Sequence, residues 1–170
     1  MEEVVHMKKK CFTILSVLVG LGMVAGFAGC ASNSREFRIQ SEFDAAIAGA
    51  VTQTLTNYEN AYNKQDLAGI LPNFDKDGQI VSEGGIKLFS REQFFKKEFA
   101  EVFPETFRRF PTMALGSPEA FMILPSKDKA VLDVMTTLGE IKVWTKVSMI
   151  MDGDRWLIMK ILYRTEKRHT

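Results

Sequence analysis

Between Cys30 and His169 the chain contains neither cysteine nor histidine. Its two cysteines are Cys11 and Cys30, and its two histidines are His6 and His169. A domain built from the residues between can hold no disulfide, no zinc–thiolate site and no cysteine nucleophile. It also lacks the commonest general base and the commonest transition-metal ligand. An excess of charge of one sign is missing too, since 22 lysines and arginines face 21 aspartates and glutamates. No global field recruits nucleic acid, and no basic tail argues for it. The apolar stretch Phe12 to Phe27 is loosened by Gly20, Gly22 and Gly26. It is shorter than the ~20 apolar residues that span a bilayer as a helix.

What is present begins with that stretch. Lys8, Lys9 and Lys10 precede it, and Phe27-Ala28-Gly29-Cys30 closes it. A basic cluster, a short apolar segment and small residues before a boundary form an export signal that is removed from the mature protein. With a cysteine directly after the boundary, the segment resembles the bacterial lipoprotein signal. The resemblance implies cleavage before Cys30, acylation of Cys30 with palmitate among the chains, and a membrane-anchored protein. Ala31 and Ser32 include no aspartate. In a Gram-negative host the resemblance then implies the outer membrane, facing the periplasm. Met7 also fits as a start, because Met1 to His6 adds acid ahead of the lysines. The expected plan is a signal peptide over 1–29, a polar tether over 30–36 and one folded domain over 37–170. Removing 1–29 leaves 141 residues, enough for one domain with a core that needs no staples.

From Phe37 the pattern is helical. Phe43, Ile47, Ala50, Val51, Leu55, Tyr58, Ala61 and Tyr62 recur at steps of three and four, a single apolar stripe. Asp66 is a good N-cap for a short second helix with Leu67, Ile70 and Leu71, and Phe74 staples it to the core. Asp75-Lys76-Asp77-Gly78 reads as a turn and Gln79 to Glu83 as a strand. Gly84-Gly85 supplies a hairpin, with Ile86 to Phe89 returning. Ser90 and Gln93 fit a capping box that opens a helix with Phe94, Phe95, Phe99, Val102 and Phe103, which Pro104 ends or kinks. Four strands follow: Thr112 to Leu124, bulged near Gly116-Ser117-Pro118, then Ala130 to Leu138, Ile141 to Met151 and Arg155 to Arg164. Short turns make these neighbours antiparallel. The expected fold class is α+β, with helices on one face of a curved antiparallel sheet.

That order of elements is similar to the nuclear-transport-factor-2-like superfamily, shared with ketosteroid isomerases and SnoaL-like polyketide cyclases. The residues that carry the resemblance are Tyr58-Glu59-Asn60-Ala61-Tyr62-Asn63-Lys64-Gln65-Asp66-Leu67, Leu71 to Asp77, and Met151-Asp152-Gly153-Asp154-Arg155-Trp156-Leu157-Ile158. It spans Phe43 to Arg164 and implies a cone-shaped, cystatin-like domain. Such a fold hosts enzymes, binders and dimerisation modules alike, so it implies no single activity.

A cone closed by helices has an interior suited to a small apolar ligand. Tyr58 and Tyr62, one helical turn apart on the buried stripe, are candidate ligand-binding residues, against the plainer reading of core aromatics. Trp144 is a third candidate, although Lys142 and Lys146 beside it argue for the outer face. Asp133, between Val131 and Met135, is the candidate catalytic base. Isomerases of this superfamily use an aspartate with a tyrosine, but Leu132 and Val134 on the other face favour an exposed Asp133 opposite a strand lysine. Asp75, Asp77, Gly78 and Glu83 do not reach calcium-loop spacing and read as a turn, so no metal and no cofactor are expected.

In the last strands Val143, Val147, Met149 and Met151 alternate with Trp144 and Ile150, and Leu157, Met159 and Ile161 with Trp156, Ile158 and Leu162. Both faces are apolar, and a back-to-back homodimer or the N-terminal segment would cover the outer one. The leading expectation is a lipid-anchored, non-catalytic envelope domain holding a small apolar ligand or a protein partner. The alternatives are an isomerase or lyase using Asp133 with Tyr58 or Tyr62, and a structural dimerisation module.

Overall fold

The structure, a computed structural model, describes residues 42–84 and 88–164. The export signal, Cys30, the tether and the expected return strand from Ile86 fall wholly or partly outside these residues. No helix among the described residues is long and apolar enough to cross a membrane.

Helix α1 (Glu42–Asn63) follows the apolar stripe. Ile47, Val51, Leu55, Tyr58, Ala61 and Tyr62 are buried, while Ala50 faces solvent. Each fully buried aromatic or large aliphatic side chain contributes roughly 1.5–3 kcal/mol. Two polar residues fix the helix across the sheet. The Thr54 hydroxyl donates to the Trp156 carbonyl at 2.9 Å. The Asn63 amide donates to the Met113 carbonyl at 2.9 Å and accepts from the Met113 N–H at 2.7 Å. Gln65 then takes a left-handed φ of 55°, which ends the run. Asp66 caps α2 (Leu67–Ile70) by accepting from the Gly69 N–H at 3.0 Å. Phe74 meets Tyr58 and Phe99 edge-on at 5.2 and 4.9 Å, as a staple should.

One six-stranded sheet carries these helices. Its strands are β1 (Phe74–Ser82), β2 (Gln93–Phe95), β3 (Met113–Ile123), β4 (Lys129–Leu138), β5 (Ile141–Asp152) and β6 (Arg155–Arg164). They lie in the order β2-β1-β6-β5-β4-β3. The α+β class and the curved sheet are as expected, but the sheet is mixed. β1 and β6 run parallel, and every other pair is antiparallel. That parallel pair joins segments about eighty residues apart, so no local turn signal encodes it.

Four local expectations are corrected. Among the described residues the segment pairing antiparallel with β1 is β2, with Ile80 opposite Phe94; Leu88 and Phe89 lie in no strand, and the start of the expected return strand lies outside the described residues. The helix opens at Phe99, not at Ser90. A 3₁₀ turn over Lys96–Glu98 precedes α3 (Phe99–Arg109), and the true start signal is the Glu98 carboxylate, which accepts from the Phe95 N–H at 2.8 Å. Pro104 does not end the helix. Burial of Phe99, Val102, Phe103, Thr106 and Phe107 along one face outweighs the one lost hydrogen bond. The Asp75–Gly78 turn lies inside β1, where the register with β6 jumps between Phe74 and Gln79. The expected bulge in β3 is present, with register shifts between Leu115 and Ala120.

A second bulge decides the interior. Ser148 pairs with Lys160 and Met149 with Ile158, leaving Met159 as the extra residue. Before it, Trp156 and Ile158 are buried, and after it Ile161 and Tyr163 are. The bulge reverses the alternation expected for the end of β6, so Ile161 faces inward with Ile158.

Candidate functional site

Four strands place polar side chains in one band on the inner face of the sheet. In register, Val134 of β4 lies opposite Thr145 of β5, Thr145 opposite Tyr163 of β6, and Tyr163 opposite Ser82 of β1. Thr136 stands one pleat further along β4, opposite Val143. Thr136 is 0% exposed, Thr145 2%, Tyr163 1% and Ser82 6%. From above, α1 adds Tyr58 and Tyr62, each 1% exposed, with rings 6.4 Å apart.

The hydroxyls differ in how they are satisfied. Tyr62 donates to the Phe110 carbonyl at 2.8 Å. Tyr58 and Tyr163 share a side-chain hydrogen bond. The oxygens of Ser82, Thr136 and Thr145 have no partner among the described residues. A buried hydroxyl without a partner costs about 1–3 kcal/mol. Thr136 and Thr145 lie on the adjacent strands β4 and β5, and Ser82 lies on β1 across β6; all three face the same side of the sheet and can accept and donate hydrogen bonds.

The interior is uncharged. Among the described residues, the buried polar side chains are Asn73, Ser82, Thr106, Thr136 and Thr145, with no lysine, arginine or carboxylate. Burial, then the neighbouring Tyr163 and Tyr62, push the Tyr58 phenol well above its ordinary value of 10.0. Burial likewise pushes Tyr62 and Tyr163 up, although the Tyr58 hydrogen bond pulls Tyr163 down in part. All three are neutral phenols at physiological pH, donors rather than bases.

Tyr58 and Tyr62 are therefore placed together in the interior. Asp133 and Trp144 are not placed with them. Asp133 alternates with the buried Leu132 and Val134 and so stands on the outer face, directly across from Lys146. The proposed pairing of Asp133 with Tyr58 or Tyr62 is not assembled, because the sheet lies between them. Trp144 also stands on the outer face, beside Met135 and Arg164 in register. The inner positions of β5 are Val143, Thr145, Val147 and Met149. Sequence reasoning missed Ser82, Thr136, Thr145 and Tyr163. The alternation of β4 and β5 would have found the two threonines, whereas the bulge at Met159 hid Tyr163.

Near the other end of the same inner face, a cleft of about 180 Å³ lies between α1 and the bulged β3. Ala48 and Thr52 line it from the helix, and Pro118, Ala120, Phe121 and Leu132 from the sheet. Among the described residues no cluster of three or more histidines, cysteines or carboxylates has the spacing to hold a metal ion.

The fold matches solved structures over most of the chain. A protein of unknown function with a cystatin-like fold from Nostoc punctiforme superposes with a TM-score of 0.54 at 13% identity, covering 74% of this chain and 93% of its own. A protein of the nuclear-transport-factor-2-like type from Shewanella baltica gives 0.55 at 13% identity, covering 73% and 97%. The fold is nuclear-transport-factor-2-like. A ketosteroid isomerase-like protein from Erwinia carotovora shares this cystatin-like architecture with a TM-score of 0.52 at 16% identity, covering 71% and 96%. At such identities the likeness concerns the fold. No protein-family model matches the chain, and no curated protein does either.

Proposed function

We propose that this is a lipid-anchored cell-envelope domain that holds a small, uncharged, mostly apolar molecule inside its nuclear-transport-factor-2-like cone, without catalysis. One observation carries the reading. Among the described residues, Ser82, Thr136 and Thr145 present buried hydroxyl oxygens with no partner on one face of an otherwise apolar, uncharged interior. A ligand carbonyl or hydroxyl meets those groups, and its hydrocarbon body meets the surrounding Phe and Leu side chains. A charged ligand finds no counter-ion there among the described residues, and burying its charge unpaired is prohibitive. Among the described residues the interior holds no carboxylate and no histidine, which, together with neutral tyrosines, supports binding over proton transfer. Anchoring rests on the export signal and Cys30, read from sequence.

The test is native mass spectrometry of the full chain purified from its own host in mild detergent. The reading expects acyl mass on a chain that begins at Cys30, plus a noncovalent neutral adduct that survives Asp133→Asn. Host-purified protein free of any adduct would overturn the ligand reading, and an unacylated chain beginning at Met1 or Met7 would overturn the anchoring.

A further inference from the structure

The outer face of the sheet carries an uneven charge. Lys129, Lys142, Lys146, Lys160 and Arg164 all stand on it by strand alternation and register. Among the described strand residues, Asp133 stands among them, and Asp152 is on the same face of β5 by alternation. Glu83 lies beside Arg164 at 3.7 Å at one end, and the Asp152–Arg155 pair closes the hairpin at the other. The chain as a whole is close to neutral. This basic excess is therefore a property of the face, not of the composition.

Between the cations lies apolar surface. Trp144 sits between Lys142 and Lys146 along β5, with Met135 and Arg164 across from it in register. Val131, Ile150 and Leu157 continue the surface, each half-buried, and Met159 is 39% exposed. A second copy packed back to back would set this basic surface against itself, and like charges brought together repel. A surface of the opposite sign, able to take a tryptophan ring at its boundary, complements it.

We infer that the outer face docks on the surface of an anionic phospholipid bilayer, with Trp144 at the headgroup level and Lys142, Lys146, Lys160 and Arg164 over acidic headgroups. Lysines and arginines near such a surface are attracted to it, and tryptophan favours the interface because one end of its ring is apolar and the other polar. The inference rests on the anchored reading above. Eleven residues lie between Cys30 and Glu42, and at ~3.5 Å per residue a fully extended chain across this stretch reaches at most about 40 Å. A tether of that length holds the domain close enough for its basic face to act.

The experiment reconstitutes the full, acylated chain into vesicles whose lipids carry brominated acyl chains, which quench nearby tryptophan. One set is phosphatidylcholine alone, and the other contains phosphatidylglycerol. Trp156 is buried at 4% exposure and provides a constant background. The expected result is loss of the Trp144 part of the emission in the phosphatidylglycerol vesicles only. High salt reverses the loss, because screening shortens the reach of the lysines. Lys142→Glu with Lys146→Glu abolishes it while the acyl chains keep the protein on the vesicles, and Trp144→Phe removes the quenchable signal. Equal quenching in both lipids, or none in either, overturns the inference. So does a dimer in sedimentation that shields Trp144 whatever the lipid. Failure to associate with phosphatidylcholine vesicles speaks against the acyl anchor alone, and salt-sensitive quenching on phosphatidylglycerol then still supports the docking face.

Discussion

The Tyr62 hydroxyl, carried on α1, donates to the main-chain carbonyl of Phe110 just beyond α3, at 2.8 Å and out of contact with solvent. The same ring meets Phe107 edge-on at 5.3 Å and Phe103 at 6.1 Å. Tyr62 is thus a tie between the two long helices. Tyr62→Phe keeps the ring and orphans the carbonyl, so it lowers stability by about 1–2 kcal/mol. Urea denaturation measures this. An unchanged midpoint with an unchanged slope would show that the bond contributes nothing.

The three tyrosines of the chain are all interior. Their folded pKa values are raised above the unfolded value of 10.0, so the folded state holds these protons more tightly. The stability this represents is complete below pH 10 and is lost as pH rises above 10 toward the raised folded values. Phenolate absorbance should therefore show no tyrosine titrating normally near pH 10, and its rise at higher pH should coincide with loss of the far-ultraviolet helix signal. A tyrosine ionising near pH 10 in the intact fold contradicts the buried band.

Glu98 behaves in the opposite sense. The Phe95 N–H holds its carboxyl below the ordinary 4.5; desolvation opposes this, and the neighbouring Arg91 and Lys97 charges add to the lowering. Its contribution is present above pH 4.5 and disappears as pH falls through the lowered folded value. Arg91 bridges Glu98 and Glu101 at 2.6 and 2.9 Å, so the start of α3 is the segment affected. Glu98→Gln should flatten stability between pH 3 and 5 relative to the parent, as read by thermal melts across that range. A parent and variant with parallel pH profiles would refute it.

Gly78 sits where β1 bulges against β6. A Cβ there would lie 2.9 Å from the Asp75 carbonyl and 3.0 Å from the Ile158 carbonyl, both main-chain atoms with little freedom to yield. Gly78→Ala should cost about 1–3 kcal/mol through this crowding. Gly49→Ala is the control, since nothing lies within 4 Å of its added carbon. It should stabilise α1 by up to about 1 kcal/mol. Equal melting temperatures for the two variants would contradict the close approach.

Thr145→Val removes a buried hydroxyl that has no partner among the described residues, while nearly preserving shape. In ligand-free protein it should be neutral or stabilising, by up to about 1–3 kcal/mol. In host-purified protein it should reduce the retained adduct. A loss of stability in the ligand-free protein would mean that the hydroxyl already has a partner.

Much of the fold was legible because its signals are local. The α1 stripe, the Asp66 cap, the glycines at positive φ in the two hairpins, and the bounds of β4 to β6 follow from side-chain period and turn chemistry. What sequence missed depends on pairing at a distance. Ser90 and Gln93 satisfy a capping pattern, yet Gln93–Phe95 is held as β2 by its register with β1. The parallel pairing of β1 with β6 has no local signature.

For the site, Tyr58 and Tyr62 were readable from helical spacing. Asp133 and Trp144 drew attention by residue type, but the strict alternation of β4 and β5 places both on the outer face. Tyr163 stayed hidden because one extra residue at Met159 shifts the phase of β6, and nothing in the sequence around it marks a bulge.

The most direct measurement is a crystal structure of the full chain purified from its own host, read at the inner face of the sheet. A non-protein molecule is expected within hydrogen-bond distance of at least two of the Ser82, Thr136 and Thr145 oxygens. An interior in which those hydroxyls donate to protein groups, with nothing bound beside them, would contradict it.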